Sequence, residues 1–353
     1  MPTQNPNVIT LFSSESSEKY INDIFTVLAL PRDATYHFSY NKDYVKNEIC
    51  SIFDSLENHC NIKALVAFRS ANIEEENKRF IVPIRWVEIT KVETNYSNFY
   101  TVMFKVLGYP TFTQIFSEQC YEFSNINKIA KSILDSTTNN FAVISNGLNQ
   151  MVDSYKDNAI NDNDNWLKII KILTCIQHYE DYHFLKCSTF FSTNDKYNPH
   201  RNNNTILEEG RLAYLKIEYY QKKYNTENNS SLEVVYDKTI ISQISGLGTK
   251  MGSSYNFLKL GFQPKNTMNE TFSEIIIYTS ESNKLSTKIS LPIIIIKPKT
   301  SLFIKSLVMS FGAFLVGLPA LLPDILDVNW KILIAMSGAC VMGLNYFINL
   351  KGK

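Results

Sequence analysis

The chain of 353 residues has almost no excess of charge of either sign, with 35 lysines and arginines against 34 aspartates and glutamates. That balance gives no support to a nucleic-acid binder or to a protein specialised for acidic ligands, although local patches remain open. Catalytic signatures are missing too. No HRD, HExxH, GxSxG or P-loop pattern occurs, so none of the enzyme classes that carry them is indicated. Only six cysteines are present (Cys50, Cys60, Cys120, Cys175, Cys187, Cys340), without a repeated short spacing. They predict free thiols in a reducing compartment rather than a disulfide framework. The opening MPTQNPNVIT has neither a basic nor an apolar leader segment, which predicts no secretory signal.

What is present divides into three parts: an N-terminal domain over 1–150, a second domain over 151–300 and a terminal segment over 301–350. The first part mixes both periodicities. SSEKYINDIFTVLAL and KNEICSIFDSLENH have helical spacing, while VITLF, ATYHFSYNKDYV, IKALVAFRS, KRFIVPIRWVEITKVE and NFYTVMFKVLGYP read as strands. This predicts an α+β domain around a curved, mainly antiparallel sheet. An Asn- and Asp-rich stretch over 153–165 favours turns and marks the boundary. Beyond it, WLKIIKILTCIQHYE predicts one amphipathic helix, and several alternating runs then predict a β-rich, sandwich-like domain. The fold class expected is α+β, closed by a transmembrane helical hairpin.

Candidate ligand-binding residues are Arg69, Arg85 and Trp86 in the first domain, where basic and aromatic residues interleave as they do on surfaces that stack bases and hold phosphates. Lys250 joins them because GLGTKMG has glycines that let backbone amides approach an anion. The competing readings are a solvated sheet face and a flexible inter-strand loop. Cys175, His178, His183 and Cys187 have zinc-type side chains, but CxxH followed by HxxxC matches no standard module. Their apolar contexts favour buried structural thiols, so neither a metal nor a cofactor is expected.

The end of the chain is different. Leu302 to Leu322 contains one charge, Lys305, and Ile332 to Leu350 contains none, each close to the roughly 20 apolar residues that cross a bilayer core. The intervening LLPDILDVNW predicts a tight turn, with Pro319 and Pro323 ending the first helix and Trp330 at an interface. Lysines flank the pair at both ends, which by the positive-inside rule predicts a multi-pass inner-membrane protein with both ends cytoplasmic. Ala313 with Gly317, and Ala339 with Gly343, have close-packing spacing, and Asn345 adds a polar group for helix association.

This layout over Leu302 to Leu350, behind a large non-catalytic module, resembles the two-helix membrane effectors of prokaryotic antiviral defence. The resemblance implies a sensor that receives a ligand, a protein partner or a nucleotide signal, becomes a homo-oligomer and permeabilises the lipid membrane as a pore. The alternative is a membrane-anchored binding or scaffold protein whose hairpin only localises the other domains. A third reading is an enzyme without a familiar motif.

Overall fold

A computed structural model describes residues 8–55, 61–72, 74–95, 98–119, 121–134, 140–145, 148, 151–155, 162–176, 179–180, 182–188, 190, 200–201, 204–222, 231–245, 249–251, 255–265, 270–280, 288–297, 299–321 and 327–350. The chain begins β1 (Val8–Ser14), α1 (Glu18–Ala29), β2 (Thr35–Asn41), α2 (Asn47–Ser55), β3 (Ile62–Arg69), β4 (Ile81–Asn95) and β5 (Phe99–Val106). These elements lie where the periodicities place them. Two helices, α3 (Gln114–Gln119) and α4 (Phe123–Ile133), and the short β6 (Ala142–Ser145) complete the first part.

The six strands make one sheet in the order β2-β5-β4-β3-β1-β6, with β1 and β3 parallel and the other neighbours antiparallel. The long strand β4 has register shifts against both partners, between Val66 and Ala67 of β3 and between Ile89 and Lys91 of β4. An extra residue at each shift bends the strand and increases its twist. The sheet therefore curls into a half-barrel. Val45, just past β2, bridges in parallel to Ala142 of β6. The Phe141 amide donates to the Tyr44 carbonyl at 2.7 Å, and the Lys46 amide to the Ala142 carbonyl at 3.1 Å. Inside, the Tyr40 hydroxyl donates to the Phe12 carbonyl at 3.0 Å, tying β2 to β1 although three strands separate them in the sheet order.

The second part opens on α5 (Asp162–Leu173), which starts inside the Asn- and Asp-rich stretch because Asp162 and Asp164 suit a first helical turn. It buries Trp166, Ile169, Ile170, Ile172 and Leu173. Then come β7 (Phe184–Cys187), β8 (His200–Arg201), β9 (Asn204–Glu208), β10 (Ala213–Tyr220), β11 (Ser231–Tyr236), β12 (Ile241–Ser245), β13 (Thr249–Lys250), β14 (Tyr255–Pro264), β15 (Thr271–Ser280) and β16 (Lys288–Ile296). They form a four-stranded sheet, β12-β14-β10-β7, and a six-stranded sheet, β13-β11-β15-β16-β9-β8. Tyr236 of β11 packs edge-on against Phe262 of β14, so side chains of the two sheets share one core.

Helix α1 joins the two parts. Its last six residues, Ile24 to Ala29, are all buried, including the faces an amphipathic helix normally exposes. One side lies against β1 and β4, the other against β7 and β16. The Phe25 ring meets Tyr179, Tyr182 and Phe184 at centroid distances of 5.9, 5.2 and 5.3 Å, and Thr26 donates to the Lys288 carbonyl at 3.1 Å.

The chain closes with α6 (Lys299–Leu321) and α7 (Val328–Leu350), packed against each other. Here the structure corrects the sequence reading: among the described residues, no helix is long and apolar enough to cross a membrane. The transmembrane hairpin in the expected fold class is therefore not supported, and neither is the multi-pass inner-membrane location drawn from it. Pro319 does not end its helix, since α6 runs on to Leu321; so near a helix end, the missing N–H removes only one of the last ladder bonds. Pro323 lies outside the described residues.

Candidate functional site

A cleft of about 490 Å3 opens at the end of the curled sheet where the parallel pair β1 and β3 terminates. Crevices at the carboxyl ends of strands and in the mouths of barrels are where ligand sites concentrate. One wall is Phe12, Ser13, Ser14 and Ser16, from the end of β1 and the serine run LFSSESS that leads into α1. Tyr20 and Asp23 come from α1, and Phe38, Ser39, Tyr40 and Asn41 from β2. Tyr44, Phe99 and Phe141 line the remainder, beside Arg69 and Ala71 at the end of β3.

Arg69 is the last residue of β3, level with Ser14 of β1, and only 2% exposed. Its Nη1 donates to the Asn140 carbonyl at 2.9 Å, and its guanidinium carbon stands 4.2 Å from the Phe141 ring centroid and 5.5 Å from that of Phe12. These contacts fix the plane of the fork. Nε and Nη2, which share one edge of it, make no hydrogen bond. Among the described residues no carboxylate pairs with this side chain. Burial lowers its pKa from 12.5 to about 10, so Arg69 is charged at neutral pH. A buried charge with no counter-ion costs several kcal/mol.

Asp23 is the acidic counterpart, half-buried on α1, and its Oδ1 accepts a hydrogen bond from the Tyr36 hydroxyl at 2.7 Å. Burial raises its pKa, with the Tyr36 bond opposing the rise. Tyr40 feels both charged groups: burial raises its pKa well above the usual phenol value, Asp23 adds to the rise and Arg69 counters it. The cleft thus has a cationic pole, an acidic pole and aromatic walls.

The other sequence candidates lie elsewhere. Arg85 is buried on β4, its guanidinium 3.5 Å from the Tyr109 ring centroid and its Nε donating to the Leu107 carbonyl at 2.7 Å. Trp86 is buried beside it, edge-on to Tyr155. Lys250 ends β13, and most of the GLGTKMG loop lies outside the described residues. Among the described residues no His, Cys, Asp and Glu group could hold a metal, and His178 lies outside them. Cys187 is buried in an apolar site that pushes its thiol up to about 12.

On the hairpin, the close helix contact falls at Gly338, where a Cβ would stand 2.7 Å from the Gly312 carbonyl oxygen. Ala313, Gly317, Ala339 and Trp330 are exposed, and Lys305, Gly343 and Asn345 lie on the helices with side chains outside the described residues. Sequence reading missed Asp23 and Phe141, while Tyr40 was among the aromatic residues it placed between basic ones. The serine run between a strand and a helix was the available signal for this end of the sheet.

No protein-family model matches the chain, and no curated protein matches it either. The likeness in layout to antiviral membrane effectors is therefore unsupported. With no membrane-crossing helix among the described residues, the pore-forming and membrane-permeabilising reading is overturned, and so is its alternative of a membrane-anchored scaffold.

Proposed function

We propose that the chain is a binding protein rather than an enzyme, and that the cleft at the end of β1 and β3 takes a small anion on Arg69. The observation that carries this is the Nε and Nη2 edge of a buried, charged guanidinium left without a partner beside a cavity. Two parallel N–H groups match a carboxylate or phosphate bidentately, and a bound anion neutralises the uncompensated charge. Among the described residues that line the cleft, no nucleophile is joined to a base and an orienting group, which favours binding over turnover.

Calorimetric titration of the full chain with inorganic phosphate and with simple aromatic carboxylates is the test. Binding should weaken at least about 10-fold in Arg69→Lys, which keeps the charge but not the edge. Equal affinity in the wild type and in Arg69→Lys, or no binding of any anion, overturns the reading.

The proposal includes self-association through the terminal helices. Leu307, Phe311, Phe314, Val328, Ile332 and Met336 are exposed, and contiguous apolar surface of this kind marks an interface. Gly317 stands in open space on the same helix pair, and a second copy of the hairpin is the occupant we assign to this apolar surface. Light scattering should give an oligomer for the full chain and a monomer for Gly317→Glu. A monomeric wild type removes this part of the proposal.

A further inference from the structure

We propose that the anion is the phosphate of a nucleoside monophosphate whose base carries an amino group, the phosphate taken by the free edge of Arg69 and the amino group by Asp23. This rests on the anion-binding reading above and names its ligand class. Each part of such a molecule meets a matching part of the cleft. The phosphate oxygens receive the two parallel N–H groups of Arg69, the strongest geometry for such an anion. A flat base has the exposed ring of Phe99 to stack on, while Phe38 and Tyr40 line the cleft as buried rings.

Ribose hydroxyls meet the short polar side chains of Ser16 and Asn41, with Ser14 buried beneath them. The Ser14 hydroxyl already shares a hydrogen bond with the Ser16 hydroxyl at 2.9 Å and accepts from the Ser16 amide at 3.3 Å, so the exposed Ser16 hydroxyl is the one with capacity left for the ribose. At the acidic pole, Asp23 accepts one bond from Tyr36 at Oδ1 and retains Oδ2 for an N–H donor. A bare inorganic anion would use the cationic pole alone and leave the aromatic walls and Asp23 without a role. A cavity of about 490 Å3 suits a molecule of nucleotide size.

A second cleft of about 580 Å3, lined by Lys42, Lys46, Asn47 and Asn140 among others, has no lining residue in common with this one. Its lysines are accompanied by Asp43 and Glu48, so it has no matching cationic pole, and the phosphate is assigned to Arg69.

The test is calorimetry on the full chain with AMP, adenosine, inorganic phosphate and purine riboside 5′-monophosphate, which lacks the amino group. AMP should bind about 100-fold more tightly than adenosine or phosphate, and about 10-fold more tightly than the deamino analogue. In Asp23→Ala the last ratio should fall to about one, an internal comparison that a general loss of fold does not produce. AMP binding no more tightly than phosphate, or an aromatic dipeptide binding more tightly than AMP, overturns the nucleotide assignment while leaving the anion reading in place. Absence of binding by phosphate and by every anion tested overturns both.

Discussion

Arg69→Met should abolish anion binding and at the same time raise the melting temperature. Most substitutions of a buried residue destabilise, so a gain is informative. Methionine is unbranched and of similar length, and its thioether can keep contact with the rings of Phe12 and Phe141, 5.5 and 4.2 Å from the present guanidinium carbon. The exchange loses one hydrogen bond, to the Asn140 carbonyl, worth about 1 kcal/mol net. It also removes a buried charge whose desolvation costs several kcal/mol with no counter-ion to offset it. The balance favours the variant by about 1 to 3 kcal/mol. Affinity should fall at least about 100-fold, because two charge-assisted hydrogen bonds disappear together. Thermal unfolding and titration of the same preparation decide it. A melting temperature lowered as a core truncation lowers it would mean that the guanidinium is satisfied in place, and the cleft would lose its reason to bind an anion.

Phe25→Ala should cost about 3 to 5 kcal/mol, the range for removing a buried phenyl ring. Phe25 is buried on α1 and contacts three aromatic rings, Tyr179, Tyr182 and Phe184, all from the second part of the chain. No backbone hydrogen bond is lost by the substitution. The cavity opens where both parts contribute side chains to one continuous core, so the damage should not stay local. Denaturant unfolding followed by tryptophan fluorescence should show a lower midpoint with the slope unchanged, since Trp86 and Trp166 lie on either side of the junction. A loss below about 1 kcal/mol would mean that α1 can re-seat, and the junction would be looser than its aromatic contacts indicate.

Most of the first sheet was legible because its strands and helices carry clean periodicities: ATYHFSYN alternates, and EKYINDIFTVLA repeats at helical spacing. Arg69 was legible for a related reason, being an arginine at the end of the otherwise apolar IKALVAFR. Asp23 was not, because a carboxylate in the first half of a helix looks like an ordinary solvated position until Tyr36 is seen bonding to it. Arg85 and Trp86 share the composition of a binding face but turn into the core of β4 with their own backbone and ring partners. The contact between β6 and the segment past β2 had no sequence signature at all, since one bridge between Val45 and Ala142 and a few backbone bonds leave side chains free to vary. At the other end of the chain, apolar runs specified helices at α6 and α7 but not what surrounds them.

That bridge between Val45 and Ala142 also sets a time at which the cleft can exist. Phe12 and Arg69 leave the ribosome long before Phe141, whose ring and carbonyl complete the wall around them. Contacts so distant in sequence form late, after the loop between them has closed. A nascent chain ending before residue 141 has every charged group of the site and no site. Ligand present during synthesis would therefore engage only chains that have passed this point, and would stabilise the contact that their own backbone had just made.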